Sequence, residues 1–112
     1  MSDCLFCKIA AGEIPAIIVS RDAEFVVFRD INPQAPTHVL VIPLVHVASL
    51  NEATDRELLA GLLARARDAA RELGLAERGY RVVVNTNAEA GQTVFHLHAH
   101  VLGGRGMRWP PG

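Results

Sequence analysis

Histidines 96, 98 and 100 alternate through Phe95-His96-Leu97-His98-Ala99-His100-Val101-Leu102, which holds three of the chain's five histidines. On a strand, side chains two apart share a face at roughly 6.6 Å spacing, so this pattern predicts a row of imidazoles with Leu97, Ala99 and Val101 turned into a core. Three titratable rings gain nothing from packing alone, so the row is a working face that needs a bound partner. Two chemistries suit it. Neutral imidazoles can converge on a metal ion about 2 Å from each nitrogen. Alternatively, one imidazole can attack an electrophile while its neighbours orient it and stabilise developing charge. Adjacent residues favour the second. Gly91-Gln92-Thr93, with Asn85, offers a flexible backbone, amides and a hydroxyl, a neutral donor set suited to phosphate oxygens. Neither a Gly-Lys-Ser/Thr phosphate loop nor a dinucleotide glycine fingerprint is present.

Cys4 and Cys7 sit three apart near the N-terminus. A redox pair of this spacing wants a strand before it and a helix after it, and nothing strand-like precedes Cys4. In a reducing compartment two plain thiols are expected, and a metal site competes only if two further ligands come from elsewhere.

The elements that must carry these residues are short. A chain of 112 residues predicts one domain over residues 1–112. Eleven basic against twelve acidic residues, with no block of either, give no footprint for nucleic acid or an anionic membrane. No apolar run approaches the ~18 residues of a membrane span, and Met1-Ser2-Asp3-Cys4 has no signal-peptide character, so a cytoplasmic location is expected.

Residues 4–11 read as a short helix stopped by Gly12. Strands are expected at 17–19, 25–28, 38–42 and 80–84, with the histidine segment as a fifth, and residues 20–23 have hairpin-loop chemistry. Residues 30–36 contain Asn32-Pro33 and a second proline, which mark a loop. Leu58, Leu59, Leu62, Leu63, Ala66, Ala69, Ala70 and Leu73 recur at helical period, with Thr54 and Glu57 as a capping box and Gly74 as the stop. This predicts one long helix over 51–73, whose wide, small-residue flank also suits self-association. The expected class is α+β, a mainly antiparallel sheet covered by helix on one face.

The segment His96 to Leu102, Asp30-Ile31-Asn32-Pro33-Gln34-Ala35-Pro36-Thr37-His38, Gly91-Gln92-Thr93 and the terminal Trp109-Pro110-Pro111-Gly112 together resemble the histidine triad superfamily. The most similar branch is its nucleotide-binding proteins, the purine nucleoside phosphoramidases. The resemblance implies a homodimer with a five-stranded antiparallel sheet, one long and one short helix per subunit. It implies hydrolysis of AMP or GMP joined to an amine, with no metal needed for the chemistry. His98 would be the nucleophile, His100 and Asn85 would hold the phosphate with Gln92 and Thr93 as further donors, and His38 would lie behind in a proton relay. Asp30 would take the ribose hydroxyls. Leu5, Phe6, Ile9, Phe28 and Ile31 would form the base slot, and Trp109 would reach the partner's site. A structural zinc is implied on Cys4, Cys7, His46 and His96, the last being the first histidine of the triad. Two positions depart from the branch's pattern. Leu44-Val45 stand where many relatives carry basic residues, which weakens the expectation for acidic leaving groups, and Ala90-Gly91 replace a glycine pair. The alternatives are a non-catalytic purine-nucleotide-binding module, a zinc protein, and a dinucleoside polyphosphate hydrolase.

Overall fold

The computed structural model describes residues 3–112. In chain order its elements are α1 (Leu5–Ala10), β1 (Ile18–Arg21), β2 (Phe25–Arg29), β3 (Thr37–Pro43), α2 (Arg56–Glu72), β4 (Tyr80–Val83) and β5 (Ala99–Gly103). The strands form one fully antiparallel five-stranded sheet in the order β1-β2-β3-β5-β4. The strand that ends the histidine segment therefore lies between β3 and β4, flanked on both sides.

Both faces of this sheet are apolar. Val27, Val39, Val41, Ala99 and Val101 pack under Leu62, Ala66, Ala69 and Ala70 of α2. The alternate residues Val26, Phe28, Leu40 and Ile42 pack under Phe6, Ile9 and Ala10 of α1. Alternation along β2 and β3 thus feeds two cores at once. The expected single covered face is corrected here: the short helix covers the second face, and that is the histidine face.

The long helix starts later than its apolar period suggests. Residues 50–52 form a separate 3₁₀ turn capped by Ser49, whose hydroxyl donates to Glu52 at 2.6 Å and accepts from the Asn51 N–H. The α2 N-cap is Asp55, whose carboxylate accepts from the Glu57 N–H at 2.9 Å, so the Thr54–Glu57 capping box does not form. Asp competes at least as well as Thr for the cap, and one residue of displacement suffices to reassign it. At the other end Gly74, with φ +79°, donates to Arg71 O, and Leu75 donates to Ala70 O at 2.8 Å. This paired ending matches the Schellman pattern and buries Leu75 beneath the sheet. Gly61 gives α2 its close seat, because a Cβ there would lie 2.8 Å from the Phe25 ring. Among the described residues no helix is long and apolar enough to cross a membrane.

The histidine strand is shorter than the alternation predicts. Its ladder with β3 runs only to Val41 paired with Ala99. Upstream, the Leu97 N–H donates to Val47 O, and the Pro43 carbonyl accepts from His96 Nε2 at 2.8 Å. Pro43 has no N–H to extend the ladder, so side chains take over its hydrogen bonding. His96 and His98 therefore stand on irregular backbone, although the in-and-out alternation of 96–101 persists.

Candidate active site

The main chain fixes the proton on three site histidines directly and on the fourth through one of them. His98 Nδ1 lies 2.7 Å from its neighbour's carbonyl at His96, and a carbonyl only accepts, so Nδ1 donates and Nε2 keeps a lone pair. His96 Nε2 donates to Pro43 O at 2.8 Å, leaving the Nδ1 lone pair for whatever faces it. The Gln34 N–H donates to His38 Nδ1 at 3.0 Å, so His38 carries its proton on Nε2. His38 Nε2 lies 2.9 Å from His100 Nδ1, which accepts that proton and so carries its own on Nε2.

Burial keeps these rings neutral. It pushes His98 below the ordinary imidazole value, against the raising effect of its bond to the His96 carbonyl. His100 is held down to about 4, by burial first and by the neighbouring His98 and His38 next. Burial likewise lowers His38, with Asp30 opposing it, and His96. At neutral pH the site therefore presents an unprotonated nitrogen on His98 beside an N–H on His100, with ring centroids 5.1 Å apart.

Both rings line a cavity of about 330 Å³, within the size range of small-molecule sites. Leu5, Phe6 and Ile9 reach it from α1, Phe28 from β2, and Asp30 and Ile31 from the loop after β2. Asn85 and Thr93 enter from the long β4–β5 connection. Phe6 sets its edge against the His98 ring at 5.0 Å, so the short helix both walls the cavity and holds the imidazole. Asp30 divides its carboxylate: Oδ1 accepts from the Asn32 N–H at 2.8 Å and Oδ2 faces His38 Nε2 at 3.5 Å.

One expected residue is placed differently. Gln92 is buried and does not line the cavity. Its Oε1 accepts from the Asn87 N–H at 2.8 Å and its Nε2 donates to Ala48 O and Val94 O, so its amide ties two loops together. Trp109 is 83 % exposed and lies outside this cavity. Residue type alone did not single out Ile14, Pro15, Ala16 and Val94, which complete the apolar wall, or Gln34, which acts through its main-chain N–H.

On the other side of His96 a second cluster gathers. Ligand atoms of Cys4, Cys7, His46 and His96 all lie within 4.8 Å of one another. Cys7 Sγ is 3.3 Å from His46 Nδ1 and 3.5 Å from His96 Nδ1, and Cys4 Sγ is 3.4 Å from His96 Nδ1. A tetrahedron with Zn–S of about 2.3 Å and Zn–N of about 2.0 Å has edges near 3.5 Å, so this donor set fits zinc. A metal held there would supply a structural crosslink between α1, the chain after β3 and the histidine segment. Asp30, His38 and His100 also converge within 4.8 Å. The Gln34 N–H, however, forces the His38 proton onto the nitrogen a cation would need, so that cluster conducts hydrogen bonds and does not ligate.

The comparisons agree with this geometry. The HIT domain model matches residues 11–107. The chain is 49 % identical over 115 residues to the "14 kDa zinc-binding protein" of Zea mays, covering 99 % of this chain and 89 % of that one. It is 44 % identical over 115 residues to "Adenylylsulfatase HINT1" of Arabidopsis thaliana, covering 99 % and 78 %. The crystal structure of a HIT family hydrolase from Legionella pneumophila superposes with a TM-score of 0.96 at 56 % identity, covering 98 % and 100 % of the two chains. With its five-stranded antiparallel sheet, its two helices and its row of three histidines, this chain belongs to the HIT domain family.

Proposed function

We propose that the protein is a hydrolase of nucleotide conjugates, and specifically a purine nucleoside phosphoramidase acting on AMP or GMP joined to an amine. One observation carries the reading: the His96 carbonyl holds the His98 proton on Nδ1, leaving a neutral, unprotonated Nε2 on a ring that lines the cavity. A nucleophile needs that state, and a phosphate-binding module does not.

The base enters the slot of Leu5, Phe6, Ile9, Phe28 and Ile31, and the ribose hydroxyls meet Asp30. His98 Nε2 attacks phosphorus in line, the P–N bond breaks, and the departing nitrogen takes one proton through the His38–His100 relay, which the hydrolysis step refills. The His100 N–H, Asn85 and Thr93 donate to the phosphoryl oxygens, and His38 holds His100 from behind. Water then attacks the nucleotidyl-His98 and returns one proton, releasing the nucleoside monophosphate and restoring the imidazole. Gln92 contributes by fixing the loop that carries Thr93. None of these steps uses a metal, and zinc on Cys4, Cys7, His46 and His96 is structural. We further place the protein in the cytoplasm as a homodimer in which Trp109 reaches the partner's site.

The Arabidopsis relative's name raises a second leaving group, sulfate in place of an amine. Leu44 and Val45 stand where many relatives carry basic residues, so this chain has less charge to offer an anionic leaving group, which favours the amine. The test is release of AMP from an adenosine 5′-phosphoramidate bearing a fluorescent amine, run beside adenylyl sulfate. The expected result is faster turnover of the phosphoramidate, and loss of at least about 10³-fold in His98→Asn. A folded protein that binds AMP and cleaves neither compound is a binding module instead.

A further inference from the structure

Arg105 follows β5 two residues on and does not line the cavity, yet it ends on the loop that governs His38. Its Nε–H donates to the Gln34 carbonyl at 3.0 Å, and a terminal N–H donates to Gly106 O at 3.1 Å. Gln34 in turn gives its main-chain N–H to His38 and its side-chain amide to Asn32 O at 2.9 Å. Gly104 makes the approach possible. Its φ is +95°, and a Cβ there would lie 2.9 Å from Pro36 Cβ, so only glycine lets the chain leave β5 against Pro36 and bring Arg105 over the loop. Residues 30–36 belong to no helix or strand, and most of them are exposed. A single main-chain bond made from such a loop is lost easily unless something holds the loop.

We propose that Arg105 is a positioning residue: by holding the Gln34 carbonyl it keeps the Gln34 N–H on His38 Nδ1, and so fixes the His38 proton on the side that faces His100. With the clamp gone, His38 Nδ1 loses its donor and the ring is free to carry its proton there. His38 Nε2 then becomes an acceptor 2.9 Å from His100 Nδ1, where two lone pairs repel, so His100 must turn or move its own proton from Nε2 to Nδ1. Its N–H leaves the phosphoryl oxygens. Asp30 and Ile31 share the loop but have their own anchor, the Asp30 N–H on His38 O at 3.0 Å and the Asn32 N–H on Asp30 Oδ1, so the loss falls mainly on the chemical step.

The kinetic part rests on the phosphoramidase reading, and the spectroscopic part does not. Wild type, Arg105→Ala and Arg105→Lys are labelled with ¹⁵N at histidine, and long-range ¹H–¹⁵N spectra are recorded alongside steady-state kinetics on the fluorescent phosphoramidate. In wild type, His38 Nδ1 gives an acceptor-type shift. In Arg105→Ala that shift moves toward the protonated type, kcat falls about tenfold and KM stays within about twofold. Arg105→Lys, which keeps one donor, lies between and remains informative if the alanine variant fails to fold. A wild-type His38 proton on Nδ1, or an unchanged Nδ1 shift in the folded variants, overturns the clamp even if the enzyme is active. If wild type releases no AMP while the shift still moves, the clamp stands and the phosphoramidase reading falls.

Discussion

At the scale of single residues, side-chain type announces chemistry only when the partner groups are side chains too. His98, His100, Asp30, Asn85 and Thr93 stand out by type and spacing, and all five line the cavity. Gln92 stands out equally, but nothing in its type reveals that carbonyls and an N–H from two loops consume its amide. The difference is measurable. Replacing Gln92 with Ala strands those buried groups and costs about 1–3 kcal/mol of stability, seen as a lower Tm. A purely ligand-facing amide would leave Tm unchanged and weaken nucleotide binding alone. Gln34 is the converse case. Its functional atom is a main-chain N–H, which any residue but proline supplies, so the sequence holds no signal for it.

At the scale of elements, period was readable and boundaries were not. The apolar repeat from Leu58 to Leu73 locates α2, and alternation locates β2 and β3, because burial on a fixed face imposes those periods. The start of α2 depended on a contest between Thr54 and Asp55 that lies within a single turn. The shortened histidine strand depended on where Pro43 and Val47 place their carbonyls, which is tertiary information. Gly61 joins the two scales. Alanine is the better helix former by roughly 1 kcal/mol, yet its Cβ would sit 2.8 Å from a Phe25 ring that is only 2 % exposed. Gly61→Ala is therefore expected to destabilise by about 1–3 kcal/mol through overpacking. Chemical denaturation checks the sign, and a stabilised variant would mean that α2 shifts freely on the sheet.

At the scale of the whole molecule, the sheet divides its labour. One face under α2 is a conventional apolar core, and the other holds the histidines under a helix of six residues. So short a helix has little stability of its own and depends on its docking. The Cys4, Cys7, His46 and His96 cluster ties that helix down at its N-terminal end. Stripping metal from purified protein with a chelator is thus expected to lower Tm by several degrees and to weaken AMP binding, since Leu5, Phe6 and Ile9 travel with α1. Titration with zinc should restore both. A Tm indifferent to chelation in protein shown to contain zinc would remove the structural role. The division was half visible beforehand: histidine spacing identified the working face, but a six-residue helix carries too little pattern to reveal which face it covers.

Backbone control of the imidazole protons has a genetic consequence. The carbonyls of His96 and Pro43 and the N–H of Gln34 set where three rings carry their protons. No missense change deletes a carbonyl, and only a codon for proline removes an N–H. At position 34 a lineage can therefore drift through nearly every side chain without disturbing the acceptor state of His38. A one-residue insertion or deletion between 34 and 38, or between 96 and 98, would displace the main-chain group from its ring. The tolerance map of this protein should be permissive to substitution at position 34, yet closed to indels across 34–38 and 96–98, the reverse of an ordinary surface loop.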